Sequence, residues 1–380
     1  MANVIEHHKC IGCSACFNIC PKGAIEMKTS EDGFKYPIID KDKCINCGLC
    51  RKVCPVLNSK TTEKKVYAYA CYNKDEKIRI NSSSGGMFNL IGSYIIENDG
   101  VVFGAKYDSN FNVVHDYVSN KKDLSKFMGS KYLQSNITDN YKKVKEFLKE
   151  GKKVLFTGTP CQVEALYSYL GKDYDNLYTQ DIICHGCPSP KLWQKYLKEF
   201  NKKIKNINFR DKSDGWQNYS MNIKFSNDSY KESHYENKYM NLFLSDICLR
   251  ESCYNCNFKN KYRKSDITLA DFWGIDNVKP ELNDDKGISL VLINSKKGSE
   301  LFEEIKDKLI YEETNFEKAI SYNTSMTESC TMPKKRKQFF RDLDKLSFDK
   351  LYKKYKPKDK IILKCKRLLK RILIKLKLMK

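Results

Sequence analysis

Eight cysteines near the start of the chain constrain its fold more than any other feature. Cys10, Cys13, Cys16 and Cys20 are spaced C-x2-C-x2-C-x3-C, and Pro21 follows. Cys44, Cys47, Cys50 and Cys54 repeat the spacing, and Pro55 follows. Two-residue spacers bring three thiolates to one face of a small polynuclear centre. The fourth, beyond the turn that proline marks, reaches a second centre. The pattern assigns Cys10, Cys13, Cys16 and Cys54 to one [4Fe-4S] cluster, and Cys44, Cys47, Cys50 and Cys20 to another. Structural zinc also takes paired cysteines, but it needs only four ligands per ion.

The doubled, proline-closed run is the bacterial two-cluster ferredoxin arrangement, expected over residues 1–58. Between the runs, Ala24 to Met27 and Phe34 to Ile39 read as strands about the turn Glu31-Asp32-Gly33. Seventeen cysteines would suggest disulfides in a small secreted protein, but this chain has 380 residues and spends its cysteines on cluster spacing. A reducing cytoplasm is the expected compartment. No run of eighteen apolar residues suits a membrane span.

The net charge of +22 is unevenly placed. Residues 334–380 hold 20 Lys and Arg against 4 Asp and Glu, so the rest of the chain is nearly neutral. Beyond Pro357, Ile361, Cys365, Leu368, Ile372, Leu376 and Met379 fall on one face at helical spacing, with lysine and arginine opposite. The expectation is a basic amphipathic tail lying on an anionic membrane surface, at the inner membrane face. A partner-docked helix or a disordered tail is the alternative. No nucleic-acid module is present, and no nucleic-acid partner is expected.

Between these ends the chain alternates strands and helices. Val66 to Asn73 is strand-like, and Met87, Leu90, Ile91, Tyr94 and Ile95 repeat at helical spacing behind Ser82 to Gly86. Small residues before a helix admit a phosphate to the backbone, but a plain Ser N-cap gives the same pattern. Lys153 to Phe156 is a buried-type strand, followed by the loop Gly158-Thr159-Pro160-Cys161 and a helix opened by Gln162. Another apolar strand ends at Cys184-His185-Gly186, so two cysteines stand at strand ends, where an α/β fold places ligands. Asn206 to Tyr230 reads as antiparallel strands, with Arg210 and Gly215-Trp216 at turns. Cys253-x2-Cys256 suits zinc, a redox dithiol or half of a cluster. Asp271 and Trp273 end a strand, facing a ligand or serving as a capping aspartate beside a core tryptophan.

Five segments in order carry a resemblance: Ser83-Ser84-Gly85-Gly86; Thr157-Gly158-Thr159-Pro160-Cys161-Gln162; Cys184-His185-Gly186 with Pro188-Ser189-Pro190; Cys253-x2-Cys256; and Asp266-Ile267-Thr268 with Asp271-Phe272-Trp273-Gly274. Residues 67–310 resemble the coenzyme F420 hydrogenase/dehydrogenase beta-subunit family, here behind a ferredoxin unit. The expected chain is α+β in four parts: a two-cluster domain (1–58) from the cysteine spacing, two parts of a mixed α/β region (66–145 and 146–333) that the resemblance makes flavin-binding, and the basic tail (334–380), which the resemblance does not cover. The resemblance implies FAD beside Ser83, Ser84, Gly85, Gly86, Thr157, Gly158, Thr159 and Gln162. It also implies a third [4Fe-4S] cluster on Cys161, Cys184, Cys253 and Cys256, with Cys187 competing with Cys184. Catalytic residues stay unassigned. The expected function is an iron–sulfur flavin-dependent oxidoreductase, its electrons exchanged with a ferredoxin or partner subunit and passed to or from coenzyme F420 or another small acceptor. Some bacterial relatives accompany polysaccharide biosynthesis. The alternative is a non-catalytic electron-transfer subunit.

Overall fold

The computed structural model describes residues 4–58 and 62–357. The N-terminal unit is built on an antiparallel hairpin, β1 (Ile25–Thr29) and β2 (Lys35–Ile39), with Ile25 opposite Ile39. Asp32 makes the turn: its carboxylate accepts the Phe34 N–H at 3.2 Å and the Tyr36 hydroxyl at 3.3 Å. Short helices Ala15–Ile19 and Leu49–Lys52 carry parts of the cysteine runs and lie against each other.

The body follows in chain order with β3 (Tyr67–Asn73), β4 (Val101–Tyr107), β5 (Val113–Val118), β6 (Val154–Thr157) and β7 (Leu177–Ile182). Next come β8 (Asn206–Asp211), β9 (Ser220–Lys224) and β10 (Ser229–Ser233), then β11 (Ile267–Asp271), β12 (Ser289–Ile293) and β13 (Leu309–Thr314). Eight of these form one sheet in the order β13-β3-β12-β11-β7-β6-β4-β5. Strands β4, β6, β7 and β11 run parallel; β5 on one side and β12, β3 and β13 on the other are antiparallel additions. Every residue of β6 and β12 is buried, as strands covered on both faces require. Helices Met87–Glu97 and Lys296–Ile305 pack on one face with Val102, Leu155 and Val291. Helices Asn140–Lys149 and Pro160–Leu170 pack on the other with Phe103 and Phe156. The sheet runs across positions 145 and 146 without a seam, since β4 pairs directly with β6.

Strands β8 to β10 form a separate antiparallel sheet. Arg210 lies inside β8 and is buried, not at a turn. Its side chain needs the interior, where it meets Asp271. Strand β7 stops at Ile182, two residues before Cys184.

The charge-based boundary near Met332 also needs correction. Helices Arg336–Lys345 and Phe348–Tyr355 bury Phe339, Leu343, Phe348 and Leu351 in the same core as Trp193, Phe209 and Tyr239. Their lysines face outward while the apolar stripe is covered, so positions 334–357 belong to the folded body. The expected amphipathic anchor, 358–380, lies outside the described residues. Among the described residues, no helix is long and apolar enough to cross a membrane.

The N-terminal unit is not a tethered bead. Phe34 and Tyr36 of its hairpin enter the main core, and Ala15 and Val53 join the core under helix Pro160–Leu170. Arg250, fully buried, spans the join. It donates to the Cys10 carbonyl at 2.7 Å, the Lys35 carbonyl at 3.0 Å and Gln134 Oε1 at 2.9 Å.

Candidate redox site

Cys10, Cys13, Cys16 and Cys54 wall one small void, together with Val4, Met27 and Pro37. These are the four cysteines that the spacing expects on one cluster. Burial raises the thiols of Cys13, Cys16 and Cys54, Cys16 to about 12, and neighbouring thiols raise them further. Four buried thiols that oppose each other's ionisation suit a cationic iron centre, which supplies the missing positive charge. Cys44, Cys47 and Cys50 form a more exposed group, in which burial and then Cys44 and Cys47 raise Cys50. Cys20 accepts the Ala24 N–H at 3.3 Å on the adjoining turn.

A much larger cavity of about 370 Å³ opens at the carboxyl ends of β6, β7 and β11. That is where an open α/β sheet places its ligand. Ser83, Ser84, Gly86, Thr157, Gly158, Thr159 and Gln162 all line it, from segments far apart in sequence. Gly85 does not line it. Gly85 sits behind the wall, where an added Cβ would come within 2.4 Å of the Cys71 carbonyl oxygen. Gly86 is the N-cap of helix Met87–Glu97 with φ +87°, and no side chain caps that end. The serine hydroxyls are used elsewhere: Ser82 donates to the Ile78 carbonyl at 2.7 Å and Ser84 to the Ile288 carbonyl at 2.7 Å. The helix start, with Gly86, Met87 and Phe88, faces the cavity. The second loop is braced by Gln162, whose Oε1 accepts the Thr159 N–H at 2.9 Å.

Cys161, Cys253 and Cys256 stand in the same wall. Burial raises the Cys161 thiol, Cys256 adds to it, the Thr159 hydroxyl opposes it, and Cys184 and Cys253 raise it further, so Cys161 neighbours the other three expected cysteines. Cys187 is wedged among them. Its N–H meets Cys253 Sγ at 3.4 Å, and its thiol hydrogen-bonds both Cys184 and Cys253. That hydrogen bond, and then the Arg250 guanidinium, bring Cys253 down to about 7. Cys187 lines the cavity and Cys184 does not.

Residues 151–319 match the family model for the C-terminal part of the coenzyme F420 hydrogenase/dehydrogenase beta subunit. Residues 9–58 and 43–88 match models of 4Fe-4S dicluster domains. Over residues 151–319 the chain is thus similar to the F420 hydrogenase/dehydrogenase beta-subunit family, behind a 4Fe-4S dicluster domain. No curated protein matches it. Among solved structures, a chain from a xenon derivative of the F420-reducing [NiFe] hydrogenase complex of Methanosarcina barkeri is 18% identical. That match covers 76% of this chain and 90% of the other, with a TM-score of 0.46. In this chain, then, two loop segments and a cysteine group meet at one cavity beside a dicluster domain.

Part of the wall escapes sequence reading. Residues Gly129 to Ser135 line the cavity after the short helix Lys121–Leu124. Ser130 ties this loop to Ser83, donating from its N–H at 2.7 Å and its hydroxyl at 2.9 Å. Lys131 turns back on the loop, giving its ammonium to the Met128 and Gly129 carbonyls at 3.1 Å each, and burial brings it down to about 7. The Gly129-Ser130 pair is a turn signal, but nothing local says which site the turn serves. Ile11, between two cluster cysteines, reaches the same cavity, and its carbonyl accepts from Gln134 at 3.0 Å.

Proposed function

We propose that this chain is an iron–sulfur flavoprotein oxidoreductase, with the large cavity as its flavin site. One observation carries the reading: a single 370 Å³ cavity is walled by both loop segments expected at FAD and by the third cysteine group. Its wall also holds buried polar atoms without partners, Ser252 Oγ and Gln180 Oε1, which a ligand would satisfy. Bound there, a flavin exchanges single electrons with clusters and electron pairs with a small acceptor.

The protein's own groups perform the positioning. The uncapped start of helix Met87–Glu97 directs backbone N–H groups at an anionic diphosphate. Trp273 stacks on Trp216 at 5.1 Å, and the Arg210–Asp271 pair at 2.8 Å holds that side of the wall rigid. Cys161, Cys253 and Cys256, with Cys184 or Cys187, would hold a third cluster against the cavity. Ile11 and Arg250 link the cavity to the first cluster's loop. The acceptor is coenzyme F420 or another two-electron carrier, with a role in polysaccharide biosynthesis as one setting. Electrons come from a ferredoxin or partner subunit. The basic segment 358–380 would hold the chain against an anionic membrane. The rival reading, an electron-transfer subunit without its own turnover, draws support from the beta-subunit family match.

The test is anaerobic purification with iron, sulfide and flavin counted per chain, then turnover with reduced ferredoxin and candidate acceptors. Bound or titratable FAD with acceptor reduction is the expected result. Folded, cluster-loaded protein that neither contains nor binds FAD overturns the flavin site. FAD without turnover favours the electron-transfer subunit.

A further inference from the structure

Three side chains from distant parts of the chain meet beside the third cysteine group. His185 follows Cys184, Asp246 follows helix Lys238–Leu244, and Cys330 lies in the segment before the C-terminal helices. The imidazole, carboxylate and thiol ligand atoms all lie within 4.8 Å of one another. His185 Nε2 is 2.7 Å from Asp246 Oδ1 and 3.6 Å from Cys330 Sγ. The carboxylate and the thiol approach the same ring nitrogen. A nucleophile relay needs them on opposite nitrogens, so the arrangement is not one. One imidazole nitrogen, one carboxylate oxygen and one sulfur converging from three segments is a donor set for a metal ion.

We propose that His185, Asp246 and Cys330 form a mononuclear divalent-metal site of the zinc class, distinct from the iron–sulfur clusters and with its fourth position open. Mixed sulfur, nitrogen and oxygen donors select zinc-like ions over calcium or magnesium. Tetrahedral zinc with ordinary bond lengths sets sulfur and nitrogen about 3.5 Å apart, close to the spacing seen, and nitrogen and oxygen about 3.3 Å apart. The carboxylate therefore has to open by roughly half an ångström, one small side-chain rotation.

Each donor is fixed by its own surroundings. Asp246 adopts φ +65°, rare for a residue with a side chain, and its N–H bonds the Phe243 carbonyl at 3.0 Å. The His185 ring meets Phe243 edge-on at 5.2 Å. Cys330 follows Ser329, whose hydroxyl accepts the Cys256 N–H at 3.0 Å. Lys259 bonds the His185 carbonyl at 3.1 Å and the Glu328 carbonyl at 2.7 Å. Its charge opposes a cation, and the Asp246 carboxylate and Cys330 thiolate offset it. Metal at this point would pin residues 328–330 across the Cys253–Cys256 loop and so close that side of the third cysteine group.

The experiment uses full-length, anaerobically purified, cluster-loaded protein, dialysed against micromolar zinc, with zinc, iron and sulfide counted per chain. One zinc per chain with unchanged iron is expected. Cys330→Ala and Asp246→Asn should each weaken zinc binding by about tenfold or more and leave iron and sulfide alone. Cobalt in place of zinc should give a thiolate-to-cobalt charge-transfer band that Cys330→Ala abolishes. The proposal is overturned if intact protein takes up no zinc, if uptake displaces iron, or if both variants keep full affinity. Loss of about four irons in Cys330→Ala would instead make Cys330 a cluster ligand, and would also overturn it.

Discussion

His115 shows how a single buried group ties the cavity to pH. Its Nε2 lies 2.9 Å from the Thr157 carbonyl, which only accepts, so Nε2 carries the proton and Nδ1 accepts from the Ser135 hydroxyl at 2.6 Å. Burial brings the imidazole from 6.5 down to about 4. Between those values the unfolded chain binds a proton that the folded chain refuses. Stability therefore falls as pH drops from 6.5 towards 4, by up to about 3 kcal/mol. His115→Gln should flatten that part of an anaerobic Tm-against-pH profile relative to the parent. An unchanged slope would remove His115 from the account.

Gly129 offers a second residue-scale test. It lines the cavity at φ +80°, and a Cβ there meets nothing within 4 Å. Asparagine tolerates that backbone conformation, so Gly129→Asn adds bulk towards the cavity with little strain. Flavin per chain should drop while iron per chain holds. Gly86→Val is a poorer probe, because φ +87° makes any branched residue there strained in its own right.

At the scale of elements, the decisive contact is the hairpin against the body. Arg250 makes hydrogen bonds to two backbone carbonyls and Gln134, and its guanidinium lies 4.2 Å from the centre of the Tyr36 ring. Arg250→Ala leaves those carbonyls buried without a donor, each charge-assisted bond being worth about 1.5–3 kcal/mol. The expected outcome is faster amide exchange in β1 and β2 and faster iron loss to a chelator. Unchanged exchange would show that Phe34 and Tyr36 alone hold the hairpin.

For the whole molecule, three predictions concern how its parts hold together. Cys253→Ser with Cys256→Ser should lower iron by about four per chain and leave the dicluster signal intact in low-temperature EPR. Removing residues 1–58 is a weaker test of the same point, because it strips Phe34 and Tyr36 from the main core. Deleting 334–380 should unfold or aggregate the protein, since Phe339, Leu343, Phe348 and Leu351 go with it. Deleting 358–380 should leave Tm and iron unchanged and, if that segment is a membrane anchor, abolish low-salt binding to anionic vesicles.

The sequence by itself determined whatever is local or counted in residues. Cysteine spacing grouped Cys54 with Cys10, Cys13 and Cys16, which line one void, because a cluster would impose that ligand geometry on its chain. An apolar run gave β6, because a strand buried on both faces has no polar alternation to hide it. The turn at Asp32 was legible for the same reason, being made by its own side chain. Tertiary structure alone decided what meets what. Ser82 to Ser84, Gly86, Gly129 to Ser135 and most of 157–162 wall one cavity only because the tertiary fold brings them to one edge of the sheet. Net charge set 334–357 apart, yet packing joined it to the body, because burial is decided by one face of a helix and charge is counted over all of it. Arg210 read as a turn residue until Asp271, 61 positions away, gave its charge a buried partner.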